Sequence, residues 1–409
     1  MSDRLVVVLA AGIVVGAWLA RPVPPALLAG GFAVAVVVAV VAGVAARAGR
    51  PGPAGRAGSA APSSAVLEGA EGRAGPSVAD LAGRAGRAGA VVVLAAGLAS
   101  CLGARAWSGV EDAPRSGRAE GWATLVTDPE RVPGGVRAEV RLGGRRVQAV
   151  ARGDAAGWLA PRLAGERVLV GGRLGPVTGR ARAYLARRHV GARLHVDVVG
   201  GWSPGGPVSR LANQVRRTLA GGSGSLPPDQ RALLAGLVLG DDRDQEPEQV
   251  DDFRAAGMTH LLAVSGQNVA FVLGMAAPLL RRLGLRGRLV TAWTVLVVFG
   301  VVTRWEPSVM RAVAMAALAL LASTIGRPAG SARVLALAVA GLVLVDPMLA
   351  GSLGFLLSTA ACAGIVVLGA PLGRRLPEAL AVTLAAQAGV APVIIPACGG
   401  LPVASLPAN

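Results

Sequence analysis

The chain has 409 residues, 53% of them apolar and only 16% charged, with a mean hydropathy of +0.55. Soluble globular chains carry about 25% charged residues, so the membrane is taken as the primary solvent. The formal charge is +17, and all 41 strongly basic residues are Arg; a Walker A loop and Schiff-base chemistry both need a Lys, so both are excluded and no enzymatic activity is expected.

Nine apolar segments approach or reach the ~20 residues that cross hydrocarbon. They are Leu5–Ala20, Ala26–Ala46, Ala88–Ala104, Gly257–Leu280, Leu289–Thr303, Ser308–Ile325, Val334–Leu349, Leu353–Leu372 and Ala379–Cys398. The first two follow each other so closely that 1–46 reads as a transmembrane hairpin and not a cleaved leader. Residues 47–87 are rich in Gly, Ala, Arg, Pro and Ser without periodicity, which predicts a disordered linker. A third span occupies 88–106.

Arginine placement sets the expected orientation. With the N-terminus inside, the inner loops are 47–87, 281–288, 326–333 and 373–378, each with at least two Arg, while the short outer loops hold one at most. That arrangement puts 105–256 outside a multi-pass cell-membrane protein.

Residues 107–200 switch to period-2 alternation. Val136, Ala138, Val140 and Leu142 point one way, and Arg137, Glu139 and Arg141 the other. Gly143-Gly144 supplies the two positive φ values of a tight hairpin, and Arg145–Ala151 returns. Trp122–Thr127, Glu166–Arg173, Ala181–Ala186 and His189–Val199 are further predicted strands, with a short helix at Ala155–Ala164. The expected fold is therefore a polytopic α-helical membrane protein of about nine spans with an inserted external small β-barrel of the OB type, an architecture that commonly binds oligonucleotides. The module carries 16 Arg against 9 acids. Arg137, Arg141, Arg145 and Arg146, with Trp122 and Tyr184 as stacking candidates, could bind single-stranded DNA; equally, a chain whose only strong base is Arg makes every domain look basic.

Residues 201–256 read as an amphipathic helical connector with a helix at Pro227–Leu239, followed by Asp241–Asp252, where seven of twelve residues are acidic. That run reads as a solvated turn in preference to a cation site. Cys101, Cys362 and Cys398 stand singly and there are three His, so neither a metal nor another cofactor is expected.

Polar residues inside the last block, 257–409, carry the functional argument. Thr259, His260, Ser265, Gln267 and Asn268 share one apolar segment, where an unsatisfied polar group costs several kcal/mol. They either bond neighbouring helices together or line a passage. Arg304 and Glu306 precede a span, and Arg311 lies one turn inside it; an intramembrane charge is a functional candidate, with Glu306 or Asp346 as its expected partner. Ser352, Ser358, Thr359 and Gln387 form a weaker cluster. A Ser265 protease is disfavoured because no activating His follows His260.

Four stretches carry a resemblance: Leu233–Gly240; Phe253, Gly257 and His260–Gly266; Pro307-Ser308 with Arg311-Ala312; and Asp346-Pro347 with Gly354–Ser358. Together they resemble the ComEC competence family, from the β-module to the C-terminus, and Leu406–Asn409 resembles a further family stretch. The family's Ser-Gly is usually followed by an apolar residue and a His, where this chain has Gln267-Asn268. The resemblance implies an inner-membrane channel for single-stranded DNA during natural transformation, lined by His260, Ser265, Gln267, Asn268, Arg304, Glu306 and Arg311. It also implies single-stranded DNA and membrane lipid as partners, with a separate ATPase or proton coupling, a DNA receptor, and a homo-oligomer left open. The chain is expected to lack the metallo-β-lactamase-like domain of many members. A transporter of a small anion or nucleotide, with the barrel as a lid, is the alternative.

Overall fold

The computed structural model describes residues 3–20, 78–112, 116–179, 181–256, 258, 262, 264, 266–326 and 329–398. Helix α1 (Asp3–Leu19) packs against the long α2 (Val78–Glu111). A six-stranded module follows, then the connector helices α5 (Pro207–Gly222), α6 (Pro228–Leu239) and α7 (Pro247–Ala255). The chain then runs through α8 (Gly266–Arg281), α9 (Leu285–Val302), α10 (Pro307–Thr324), α11 (Ser331–Val345), a 3-10 turn (Pro347–Gly351), α12 (Leu353–Gly373) and α13 (Glu378–Cys398). Pro207, Pro228, Pro247 and Pro307 each begin a helix, where the missing N–H would be unpaired anyway.

Among the described residues, five helical stretches are long and apolar enough to cross a membrane: Ala90–Glu111, α9, α10, α12 and Glu378–Ala397. Leu5–Leu19 and α11 are apolar but shorter, and α8 has only 16 residues with Pro278 inside. Of the nine expected spans, Ala26–Ala46 lies outside the described residues. The third expected span also differs, because its helix begins at Val78, inside the segment read as linker.

The strands are β1 (Gly117–Leu125), β2 (Glu130–Val132), β3 (Gly135–Leu142), β4 (Arg145–Ala151), β5 (Arg167–Pro176) and β6 (Val190–Ser203), with short helices α3 (Gly153–Leu159) and α4 (Ala181–Ala186). Their order is β1-β5-β6-β4-β3-β2; β1 also pairs β3, and β4–β6 is the parallel pairing. Val140, Leu125, Val168, Val170 and Leu194 fill the interior with Leu159 of α3. The Gly143-Gly144 hairpin has φ values of 57° and 80°, as the sequence predicts. Ala181–Ala186 is a correction: it forms a helical turn, and the successive burial of Leu185 and Ala186 breaks the alternation that a strand requires. Its Ala, Arg and Leu content favours helix.

Two larger apolar cores among the described residues organise the helices. One joins α1, α11, the 3-10 turn and α12 through Ile13, Val343, Leu349 and Phe355; the other joins α8, α9 and α10 through Val269, Leu296 and Val309. At one end of the bundle Asp3 pairs with Arg333. At the opposite end Trp18 Nε1 donates to the Ala350 carbonyl at 2.7 Å, and there the β-module sits, with His189 Nε2 3.1 Å from Asp346 Oδ1.

Small residues set a close crossing between α12 and α13. A Cβ on Gly389 would lie 2.3 Å from the Ala360 carbonyl, and one on Gly364 would lie 2.2 Å from that of Ala385. Gly389→Val therefore wedges the pair apart and costs about 1–3 kcal/mol. Its thermal midpoint in detergent should fall, while Gly341→Ala, which meets open space, should leave it unchanged.

Candidate functional site

The junction between β-module and bundle is built on one face of α5, where Asn213 and Arg216 stand three residues apart. Arg216 is 3% exposed. Its Nη1 donates to the carbonyls of Leu239 at 2.9 Å and Val302 at 3.0 Å, the last residues of α6 and α9. Helix ends leave such carbonyls unpaired and carry partial negative charge. Its Nη2 donates to Asp128 Oδ2 at 2.9 Å and to Asp241 Oδ2 at 3.0 Å.

Asp128, on the β1–β2 loop, accepts in addition from Arg304 Nη2 at 3.0 Å and from the Ala164 amide at 2.7 Å. Asn213 Oδ1 accepts from Arg304 at 2.8 Å. Arg304 and Trp305 have φ of 61° and 54°, a left-handed conformation that costs non-glycine residues free energy; the turn aims Arg304 at the β-module. Arg243 grips Asp241 with Nε at 2.7 Å and Nη2 at 2.6 Å. Burial alone would raise the Asp241 carboxyl, but the bonds from Arg243 and the charges of Arg243 and Arg216 outweigh it and hold it below its usual range. The acidic run is therefore not wholly solvated. Among the described residues no group of His, Cys, Asp and Glu could hold a metal ion.

A second surface lies on the outward sides of β3, β4 and β6. Val136, Ala138, Val147, Ala149, Ala192 and Leu194 enter the core, so their neighbours Arg137, Glu139, Arg141, Arg146, Gln148 and Arg193 share the other side. Arg137 pairs with Glu130 at 2.7 Å, Arg193 Nε donates to Gln148 at 2.9 Å, and Arg146 stands opposite Arg141. Arg145 reaches the Asp112 carbonyl at 3.1 Å. Arg188, just before β6, pairs with Glu139 and donates to the Tyr184 hydroxyl at 3.3 Å. This side looks onto the helix ends, since Arg188 and Glu306, and Arg146 and Asp346, lie within electrostatic reach. Burial pushes the Glu306 carboxyl up; Arg188 opposes the shift, and Asp242 and Glu139 reinforce it.

Trp122 does not join that surface. It stands on β1 opposite Leu169 of β5 and beside Gly201, with Arg167 5.5 Å from its ring. Arg162 stacks on Trp158 at 4.2 Å and on Trp202 at 5.4 Å.

Deeper, Arg311 is 6% exposed on α10, between the two apolar cores. It meets neither Glu306 nor Asp346, the partners expected from sequence; Asp346 is taken by His189. Arg311 Nε donates to Ser358 Oγ of α12 at 2.8 Å, and Nη1 approaches Met315 Sδ at 3.2 Å. A Cβ on Gly266 would lie 3.0 Å from its Nη2. Next to Ser358, Thr359 Oγ1 is buried without a hydrogen-bond partner among the described residues. Asn268 donates to the Leu237 carbonyl at 2.6 Å, Ser308 Oγ donates to that of Val264 at 2.8 Å, and Gln267 is exposed at the head of α8. His260 and Ser265 lie outside the described residues. Sequence reading missed Asp128, Glu139, Arg188 and Arg216, whose partners are far away in the chain.

Residues 237–409 match the family model described as Competence protein. ComE operon protein 3 of Bacillus subtilis (strain 168) is 25% identical over 232 residues, a stretch covering 55% of this chain and 30% of that protein. The chain thus spans under a third of this relative's length. No solved structure matches.

Removing the Arg216 head leaves Asp128 and Asp241 short of a partner and two helix ends uncapped, a loss of about 3–5 kcal/mol. Unfolding of Arg216→Ala in detergent should show that loss, and exposed Arg210→Ala should not. Because the folded Asp241 carboxyl titrates below its ordinary 3.8, its contribution is complete above that pH and disappears as pH falls through the folded value. Acid titration of stability should therefore be shallower for Asp241→Asn than for the native chain.

Proposed function

We propose, because residues 237–409 match the family model described as Competence protein, that this chain is a membrane conduit for single-stranded DNA taken up in natural transformation. The observation that carries this reading is Arg311, a buried guanidinium with no paired carboxylate among the described residues. Insertion scales put an Arg at mid-helix about 2.5–3.5 kcal/mol uphill. A buried guanidinium without a carboxylate is suited to serve an anion, and each nucleotide brings one phosphate.

Several arrangements support the route. The arginine-bearing side of β3, β4 and β6 looks onto the end of the bundle that carries Arg304 and Glu306, so phosphates gathered there are delivered to the helix ends. The module is read as a closed OB-like barrel: β1 pairs both β5 and β3, β4 pairs β6 in parallel, and a helix separates β4 from β5. Asp3 and Arg333 meet at the bundle end opposite the module, which suits an N-terminus and 326–333 loop inside and the module outside. Nine spans, a homo-oligomer, a DNA receptor and a separate ATPase or proton coupling complete the proposal.

A small-anion or nucleotide transporter would use the same guanidinium; movement of labelled nucleotide without oligonucleotide would favour it. Arg311→Ala should abolish uptake of labelled DNA while the protein still inserts and reaches native abundance. Unchanged uptake would defeat the assignment.

A further inference from the structure

On the surface turned toward the helix ends, Arg188 is placed to meet an incoming phosphate, yet it is already engaged. Its Nε pairs with Glu139, a carboxylate only 7% exposed whose Oε2 has no hydrogen-bond partner among the described residues. The charge of Glu306, at the start of α10, reaches it from the bundle side. The Arg188 side chain nevertheless remains 37% exposed. It is thus paired with one buried acid of its own module, within the field of a second at the helix ends, and has an open flank. Arg137 shows the ordinary alternative, since its partner Glu130 is half exposed and belongs to the same module.

We propose that Glu139 acts as an internal stand-in for phosphate, holding the Arg188 guanidinium, with the more distant charge of Glu306 as a second attraction, until a phosphodiester of the passing strand displaces it. The inference rests on the DNA-conduit reading and deepens it. A planar guanidinium donates to carboxylate and to phosphate oxygens alike, so the exchange replaces one oxyanion by another. The exchange also meets a demand of transit, because a conduit must bind well enough to admit its cargo and weakly enough to release it. A guanidinium with no competing anion would grip each phosphate; one that always has a carboxylate to return to lets it go.

The test uses the full chain in nanodiscs of neutral phosphatidylcholine, with a fluorescent oligothymidylate as probe. Glu306→Gln should tighten binding by roughly 3- to 10-fold, and Glu139→Gln should act in the same direction if it folds. Exposed Glu120→Gln on β1 removes the same charge away from Arg188 and should change affinity by less than about twofold. Placing Arg188→Ala under Glu306→Gln should erase the gain. Equal effects of Glu306→Gln and Glu120→Gln, no gain, or a gain that survives Arg188→Ala would overturn the proposal while leaving native DNA binding intact. Failure of every protein to bind would instead remove the DNA reading, and the proposal with it.

Discussion

Arg216 is the point on which the arrangement of the parts depends. One guanidinium closes the C-termini of α6 and α9 and joins carboxylates from the β-module and the connector. Three arginines and two aspartates meet there, an assembly that would be costly to bury if any member were missing. The reach of Arg304 to Asp128 fixes the module to the α9–α10 turn. A second footing at His189 and Asp346, with Arg187 against Gly351, fixes it to the 3-10 turn. The arginine-bearing side of the sheet lies between the two.

This layout separates two electrostatic tasks. Where parts must stay together, arginines bond carboxylates and helix-end carbonyls and are largely withdrawn from water. Along the proposed route they stay available: Arg188 has a displaceable acid, and Arg311 has a hydroxyl and a thioether. Moving phosphate into a negative interior opposes the field by about 2.3 kcal/mol per charge per 100 mV. Arginines along the route lower the barrier to entry, but they do no net work, and the energy must come from elsewhere.

Legibility in the sequence followed the range of the interactions. The connector helix read at Pro227–Leu239, the Gly143-Gly144 turn and the alternation of β3 are local, and the structure has them as expected. Ala181–Ala186 misled because an Ala-rich segment of six residues satisfies both periods, and burial of adjacent Leu185 and Ala186 decides only in three dimensions. Of the junction only Arg304 stood out: Asp128 and Arg304 are 176 residues apart, and nothing near Asp128 marks it as the acceptor for two arginines. Arg311 stood out as a charge in an apolar helix, yet its partner was misassigned, since a search for carboxylates passes over Ser358. Polar clusters thus identify where to look, while pairing depends on how the helices cross.

The account holds that the β-module caps the bundle on the far side of the membrane from Asp3 and Arg333. After replacement of the native cysteines, single cysteines at Thr178 of the module and Ser331 at the opposite end can be probed in intact cells with a membrane-impermeant maleimide. The account predicts labelling at position 178 and none at 331 until the cells are lysed. Labelling at 331 with protection at 178 would place the module in the cytosol and contradict it.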